Sequence, residues 1–126
     1  MKYLGVDWGL KRVGLAISEG KIASPLAVLS VNSLQDGLDK LISFIKREEI
    51  DIVVIGKPEG ESGKRVEAVV KKLKKVGLKV IEADETLSTQ EAKKFLLRIG
   101  VSRKSRRLDD AWAATIILQR FLDEQP

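Results

Sequence analysis

With no Cys and no His anywhere in its 126 residues, this chain must do any chemistry with carboxylate, hydroxyl, amine and guanidinium groups. That excludes thiolate nucleophiles, disulfides, zinc-thiolate sites, imidazole bases and the Ser-His-Asp triad. Carboxylates without imidazole or sulfur beside them select hard cations such as Mg²⁺ or Mn²⁺. Three acidic positions stand at the ends of expected secondary-structure elements: Asp7, the pair Asp84-Glu85, and the pair Asp109-Asp110. Gathered together they would repel one another unless protonated or bridged by cations, so a cluster of them would be a divalent-metal site. Simpler roles exist for most of them. Asp109 or Asp110 suits a helix N-cap, Asp84 a turn and Glu85 a surface charge. Asp7 resists such a reading, because it interrupts an apolar strand holding Leu4 and Val6 and precedes Trp8-Gly9. An acid there is costly unless something pairs with it.

The elements that must position these acids follow from hydrophobic periodicity. Two strands, Lys2 to Trp8 and Val13 to Ser18, flank Gly9-Leu10-Lys11-Arg12 and read as a hairpin. A third strand, about Ala27 to Val31, follows Pro25. Leu34, Leu38, Leu41, Ile42 and Ile45 then recur at helical spacing behind a Ser33 cap, and the helix ends near Glu49. Ile52 to Ile55 is an uninterrupted apolar strand that stops at Gly56. A polar loop, Lys57 to Gly63, leads to a second helix with Val66, Val69, Val70 and Leu73 inward and Gly77 at its end. Leu78 to Ala83 is the fifth strand. Ser88 and Glu91 open a third helix that Gly100 stops, and a last helix from Leu108 to Leu122 turns Leu108, Ala111, Trp112, Thr115, Leu118 and Leu122 inward. The order βββαβαβαα predicts an α/β protein with a mixed sheet and helices on both faces. If the first and fifth strands run parallel, their carboxyl ends share one side, where an α/β sheet collects its site.

Length and composition (44% hydrophobic, 33% charged) predict a single domain spanning 1–126. The longest apolar run, Ala111 to Leu118, is too short to span a membrane, so a cytoplasmic protein without a membrane partner is expected. Its net charge is +5, unevenly spread. Between Lys93 and Arg107 lie seven bases and no acid, a segment suited to polyanions, above all phosphate backbones. Within it Arg103, Lys104, Arg106 and Arg107 sit in an expected loop and are nucleic-acid-binding candidates. The basic run from Lys64 to Lys79 reads instead as a solvated helix face. Gly56 to Arg65 is not a Walker A loop, since Pro58 and Arg65 stand where that motif needs Gly and Ser or Thr.

Four ordered strings carry a resemblance: Leu4-Gly5-Val6-Asp7-Trp8-Gly9 with Arg12-Val13-Gly14-Leu15-Ala16; Gly56-x-Pro58 with Gly63; Asp84-Glu85-x-Leu87-Ser88-Thr89-x-Glu91-Ala92; and Asp110 ahead of Ala113-Ala114-x-Ile116-Ile117-Leu118-Gln119. Over nearly the whole chain they resemble the YqgF (RuvX) family. The resemblance implies an RNase H-like fold, with a five-stranded sheet in the order 3-2-1-4-5, and kinship with RuvC Holliday-junction resolvases. It also implies a nuclease maturing the 5′ end of pre-16S ribosomal RNA, in contact with pre-ribosomal particles. The family's acids fall on Asp7, Glu85 and Asp110, which coincide with the cluster argued above. Thr86 stands where the family usually has Arg, and the loop after Pro58 is shorter, with Lys57 where the family has Leu.

The expected chemistry is hydrolysis of phosphodiester bonds with two Mg²⁺ or Mn²⁺ ions, Asp7 bridging them and Glu85 and Asp110 holding one each. Lys11, Arg12, Lys57, Lys64 and the Arg103 to Arg107 segment would hold the nucleic-acid backbone, and Trp8 is a candidate for stacking a base as well as for the core. Two other readings use the same residues. A four-way-junction resolvase would need paired active sites and hence a homodimer rather than a monomer. A non-catalytic nucleic-acid-binding module would use the acids only structurally.

Overall fold

The computed structural model describes residues 1–84 and 109–125. Their elements are β1 (Tyr3–Trp8), β2 (Arg12–Ser18), β3 (Ser24–Ser30), α1 (Leu34–Arg47), β4 (Ile52–Lys57), α2 (Gly60–Lys75), β5 (Val80–Asp84) and α3 (Asp109–Asp123). The helix expected from Ser88 to Gly100 and the basic loop from Arg103 to Arg107 lie outside the described residues. One five-stranded sheet has the order β3-β2-β1-β4-β5. Neighbours joined by short turns pair antiparallel, β1 with β2 and β2 with β3. β1 pairs parallel with β4, which the chain reaches after β2, β3 and α1, and β4 pairs parallel with β5 across α2. In consequence β1, β4 and β5 finish on the same edge.

Alternation along the strands divides the molecule into two cores. Leu4, Val6, Trp8, Val13, Leu15, Val53, Ile55 and Val80 pack with α1 and α2 on one face. On the other, Ala16, Ile52 and Val54 meet Ala114, Ile117, Leu118 and Leu122 of α3. Trp8 is only 8% exposed and belongs to the first core. Gly37 of α1 sits so close that a β-carbon there would stand 2.7 Å from the Trp8 Cη2 atom. The indole therefore fills the interior and is not presented to stack a base.

Local signals explain most boundaries. Ser33 caps α1, its Oγ accepting from the Asp36 amide at 3.1 Å, while the Asp36 carboxylate accepts from the Asn32 amide at 2.9 Å. α2 ends in a Schellman turn with Gly77 at φ +89°, the Leu78 amide bonding the Leu73 carbonyl at 3.1 Å. It begins at Gly60, earlier than the polar composition of Lys57 to Gly63 predicts, because Gly63 is buried against the Pro58 carbonyl as a packing contact inside the first turn. β3 starts before Pro25 rather than after it. An edge strand tolerates the missing N–H, and a register shift opposite Leu15 and Ala16 absorbs the ring. α3 is buried around most of its girth, Ala113, Ile116 and Ile117 included, whereas Trp112 stays half-buried. Its near-continuous apolar sequence accounts for that. No helix among the described residues is long and apolar enough to cross a membrane.

α1 closes with the same turn as α2, the Ile50 amide bonding the Ile45 carbonyl at 3.0 Å, but its left-handed position holds Glu49 at φ +54°. A β-carbon there costs roughly 1–2 kcal/mol that glycine avoids, partly offset by glycine's greater freedom in the unfolded chain. Glu49→Gly is expected to stabilise the protein by about 0.5–1 kcal/mol, raising Tm by a few degrees in thermal denaturation. An unchanged or lower Tm would show that the turn is not strained.

Candidate active site

Small residues make the site possible. In the β1–β2 register Gly5 lies opposite Ala16 and Asp7 opposite Gly14. Directly opposed residues share a face, and this is the face that carries α3. Gly5, Ala16 and Gly14 thus form a furrow with no large side chain in it, and the helix lies along it. A β-carbon on Gly5 would stand 2.7 Å from both the Ala114 carbonyl oxygen and the Leu118 Cβ. On Gly14 it would collide with the Asp110 carbonyl and reach within 2.9 Å of the Ala111 nitrogen. The main chain of Asp110 therefore occupies the place of the side chain Gly14 lacks. Since opposed β-carbons are about 5 Å apart, Asp7 and the head of α3 are close neighbours.

Both acids are half-buried. The Asp110 carboxylate takes an ion pair from Arg12, Nε to Oδ2 at 3.1 Å. Arg12 starts β2 two residues from Gly14, hence on the same face, and is fixed by the Gly9 amide bonding its carbonyl at 3.0 Å. At the third position the described residues include Asp84. Ile81 and Ala83 pack toward the α3 core, whereas Val80 belongs to the opposite one. Asp84 has the parity of Val80 and lies in register with Lys57, so it points away from Asp7. Glu85 lies outside the described residues. Among the described residues no group of three or more acids is gathered.

The basic candidates divide as well. Lys11 is exposed in the hairpin turn beside Arg12. Lys57 lies on the α2 side of the sheet, bonded to Glu67 at 2.7 Å and near Glu82 at 3.7 Å. That hydrogen bond to Glu67 raises the Lys57 pKa above the ordinary lysine value and holds the Glu67 carboxyl below its own. Lys64 is exposed and 3.4 Å from Glu61. Together with Pro58, Glu59, Gly60 and Gly63, these two lysines line an open groove of about 480 Å³ on the edge where β4 ends. Arg103, Lys104, Arg106 and Arg107 lie outside the described residues.

Gln119 holds the far end of α3. Its Oε1 accepts from the Ala23 amide at 2.8 Å and its Nε2 donates to the Lys21 carbonyl at 3.0 Å. One amide thus clamps the β2–β3 turn and fixes how far the helix reaches along the furrow. Sequence reasoning did not assign a role to Gln119 or Gly14. A glycine inside a strand was the available signal for the latter, since it marks close approach of another backbone.

An oxygen-only pair of carboxylates, drawn together where α3 seats on Gly14 and already attracting a cation in the form of Arg12, fits a hard divalent ion. Residues 1–124 match the family model described as "RuvX: Holliday junction resolvase". A protein of Dictyoglomus turgidum is 36% identical, over 98% of this chain and 94% of its own. One of Staphylococcus epidermidis is 40% identical, over 97% and 95%. Each carries the description "Putative pre-16S rRNA nuclease". Among solved structures, the fowlpox virus resolvase with Holliday junction DNA superposes with a TM-score of 0.69 at 17% identity, over 98% of this chain and 97% of that one. Thermus thermophilus RuvC with its junction substrate gives 0.61 at 16%, over 93% and 91%. At that identity the likeness concerns the fold, which is RNase H-like.

Proposed function

This chain belongs to the RuvX family, and from that membership we propose that it is a metal-dependent nuclease whose substrate is pre-16S ribosomal RNA, cut in maturing the 5′ end. The observation that carries the reading is the seating of Asp110 on Gly14, which sets two acids distant in sequence on one face at one sheet edge. Asp7 and Asp110 would hold Mg²⁺ or Mn²⁺, with Glu85, on which the third acid of the family pattern falls, as the third ligand. Two bound ions supply a nucleophile at neutral pH and offset charge on the leaving oxygen, which suits a chain without imidazole. Lys11 and Arg12 border the site and would grip the phosphates flanking the scissile bond. Arg103, Lys104, Arg106 and Arg107 would extend that grip, and Lys64 would continue it along the groove beside α2. Lys57 contributes less, because two carboxylates already engage it. A cytoplasmic setting, on pre-ribosomal particles, follows from that substrate.

A second reading, resolution of four-way DNA junctions, has the family description and the junction-bound fold relatives in its favour. Both are tested by incubating the protein with a transcript of the pre-16S 5′ region and with an immobile four-way junction, in Mg²⁺, Mn²⁺ or EDTA. Site-specific cleavage of the RNA that EDTA abolishes is expected. Symmetric paired nicks in the junction, made by a dimer, with the RNA left intact would replace the first reading by the second.

A further inference from the structure

We propose that Arg12 is an internal counterion of the acid site, which a metal ion must displace and which, once displaced, is released to a substrate phosphate. The inference rests on the metal-dependent reading above and adds a coupling to it. Arg12 shares its face of β2 with Gly14 and Ala16, at the end of the furrow where α3 begins. Its hairpin is held by the Gly9–Arg12 hydrogen bond, and its Nε stands 3.1 Å from Asp110 Oδ2. One carboxylate thus has two claimants. A divalent ion and a guanidinium cannot both sit against it without like charges meeting at contact distance, so occupation by either opposes the other.

The geometry favours exchange over a permanent lock. Arg12 is 67% exposed and Asp110 32%, so the pair is water-screened and of the weak class that a divalent ion can open. A guanidinium presents five donors in a planar fork, and after leaving Asp110 it remains tethered to β2 at the edge of the site, where that fork suits a phosphate. Nucleic acid that draws Arg12 away would tighten metal binding, and by thermodynamic reciprocity metal would tighten nucleic-acid binding. The free protein would then bind metal weakly and complete its site only on a substrate.

If the paired form dominates by about 5-fold, the equivalent of about 1 kcal/mol, apparent metal affinity is reduced by roughly that factor. The test is calorimetric titration of Mn²⁺ into the metal-stripped full chain, without nucleic acid, for wild type, R12Q, R12K and K11Q at one ionic strength. R12Q should bind Mn²⁺ about 5-fold more tightly. R12K, which keeps a cation able to reach Asp110, should stay near wild type. K11Q removes an equal charge one residue away and should shift affinity less than about 2-fold. Equal affinities for R12Q and wild type, or equal tightening in R12Q and K11Q, would overturn the counterion role while leaving the metal site standing. Absence of Mn²⁺ binding in all four proteins would overturn the counterion role, and if cleavage of the RNA also survived EDTA it would sink the metal-dependent reading itself.

Discussion

Asp7→Asn is expected to lower metal-dependent cleavage by at least about 1,000-fold, a loss of roughly 4 kcal/mol of transition-state stabilisation, while the protein stays folded. The substitution is isosteric and the position half-buried at the end of β1, so packing above Leu4, Val6 and Trp8 is untouched. What changes is charge. An amide is a far poorer ligand for a hard dication than a carboxylate, and the residue next to the head of α3 would no longer complete the site. Removing one of two neighbouring negative charges relieves repulsion, so Tm should hold steady or rise slightly. Binding to RNA in EDTA should stay within a few-fold of wild type, because the phosphate contacts proposed for Lys11, Arg12 and the basic segments are left in place. Cleavage rates, thermal melting and EDTA-phase affinity therefore have to part company. Cleavage at the wild-type rate in the folded variant would remove Asp7 from the chemistry, and a collapse of Tm would make it a structural residue.

Features that depend on pattern along the chain are readable in the amino-acid sequence itself. Strand alternation, the switch to helical spacing at Leu34, the Ser33 cap and the Gly77 stop each express a local rule, and each stands where it was expected. Their order leaves open whether β1 and β5 run parallel; they do, through β4, which brings Asp7 to the edge where Asp84 emerges. Features that depend on what arrives from elsewhere were not readable. Trp8 could be weighed as a base-stacking group or a core residue, and only the approach of Gly37 decides for the core. Pro25 reads as a break until its strand proves to lie at the sheet edge. Within Asp84-Glu85, the family pattern points to Glu85, and the register of β5 with β4 adds that Asp84 lies beside Lys57, on the face turned from α3. Gly14 is the clearest case. One strand-interior glycine has many uses, and its use here is defined by a helix that begins about a hundred residues later.

That use makes Gly14→Ala the most exacting test of the site's construction. The added methyl must stand where the Asp110 carbonyl is, and backbone does not yield as a flexible side chain would. Sliding α3 along its axis offers no escape. Gln119 ties its other end to Lys21 and Ala23, and Gly5 receives Ala114 and Leu118 with no space to spare. The helix can only lift at its N-terminus, carrying Asp110 away from Asp7. Overpacking of this kind costs about 1–3 kcal/mol, which a domain of this size survives. Misplacing a ligand by about 1 Å costs on the order of 100-fold in rate. Gly14→Ala should thus remain folded with a Tm several degrees lower, lose at least about 100-fold in cleavage, and bind Mn²⁺ more weakly. Gly20→Ala, at a position with nothing within 4 Å of an added β-carbon, should change none of these. If Gly14→Ala cleaves like wild type at a temperature where both are folded, the juxtaposition of Asp7 and Asp110 through the furrow does not produce the active centre. A loss of cleavage with intact Mn²⁺ affinity would instead place the damage in how the substrate is gripped, with Arg12, two residues away, as the group displaced.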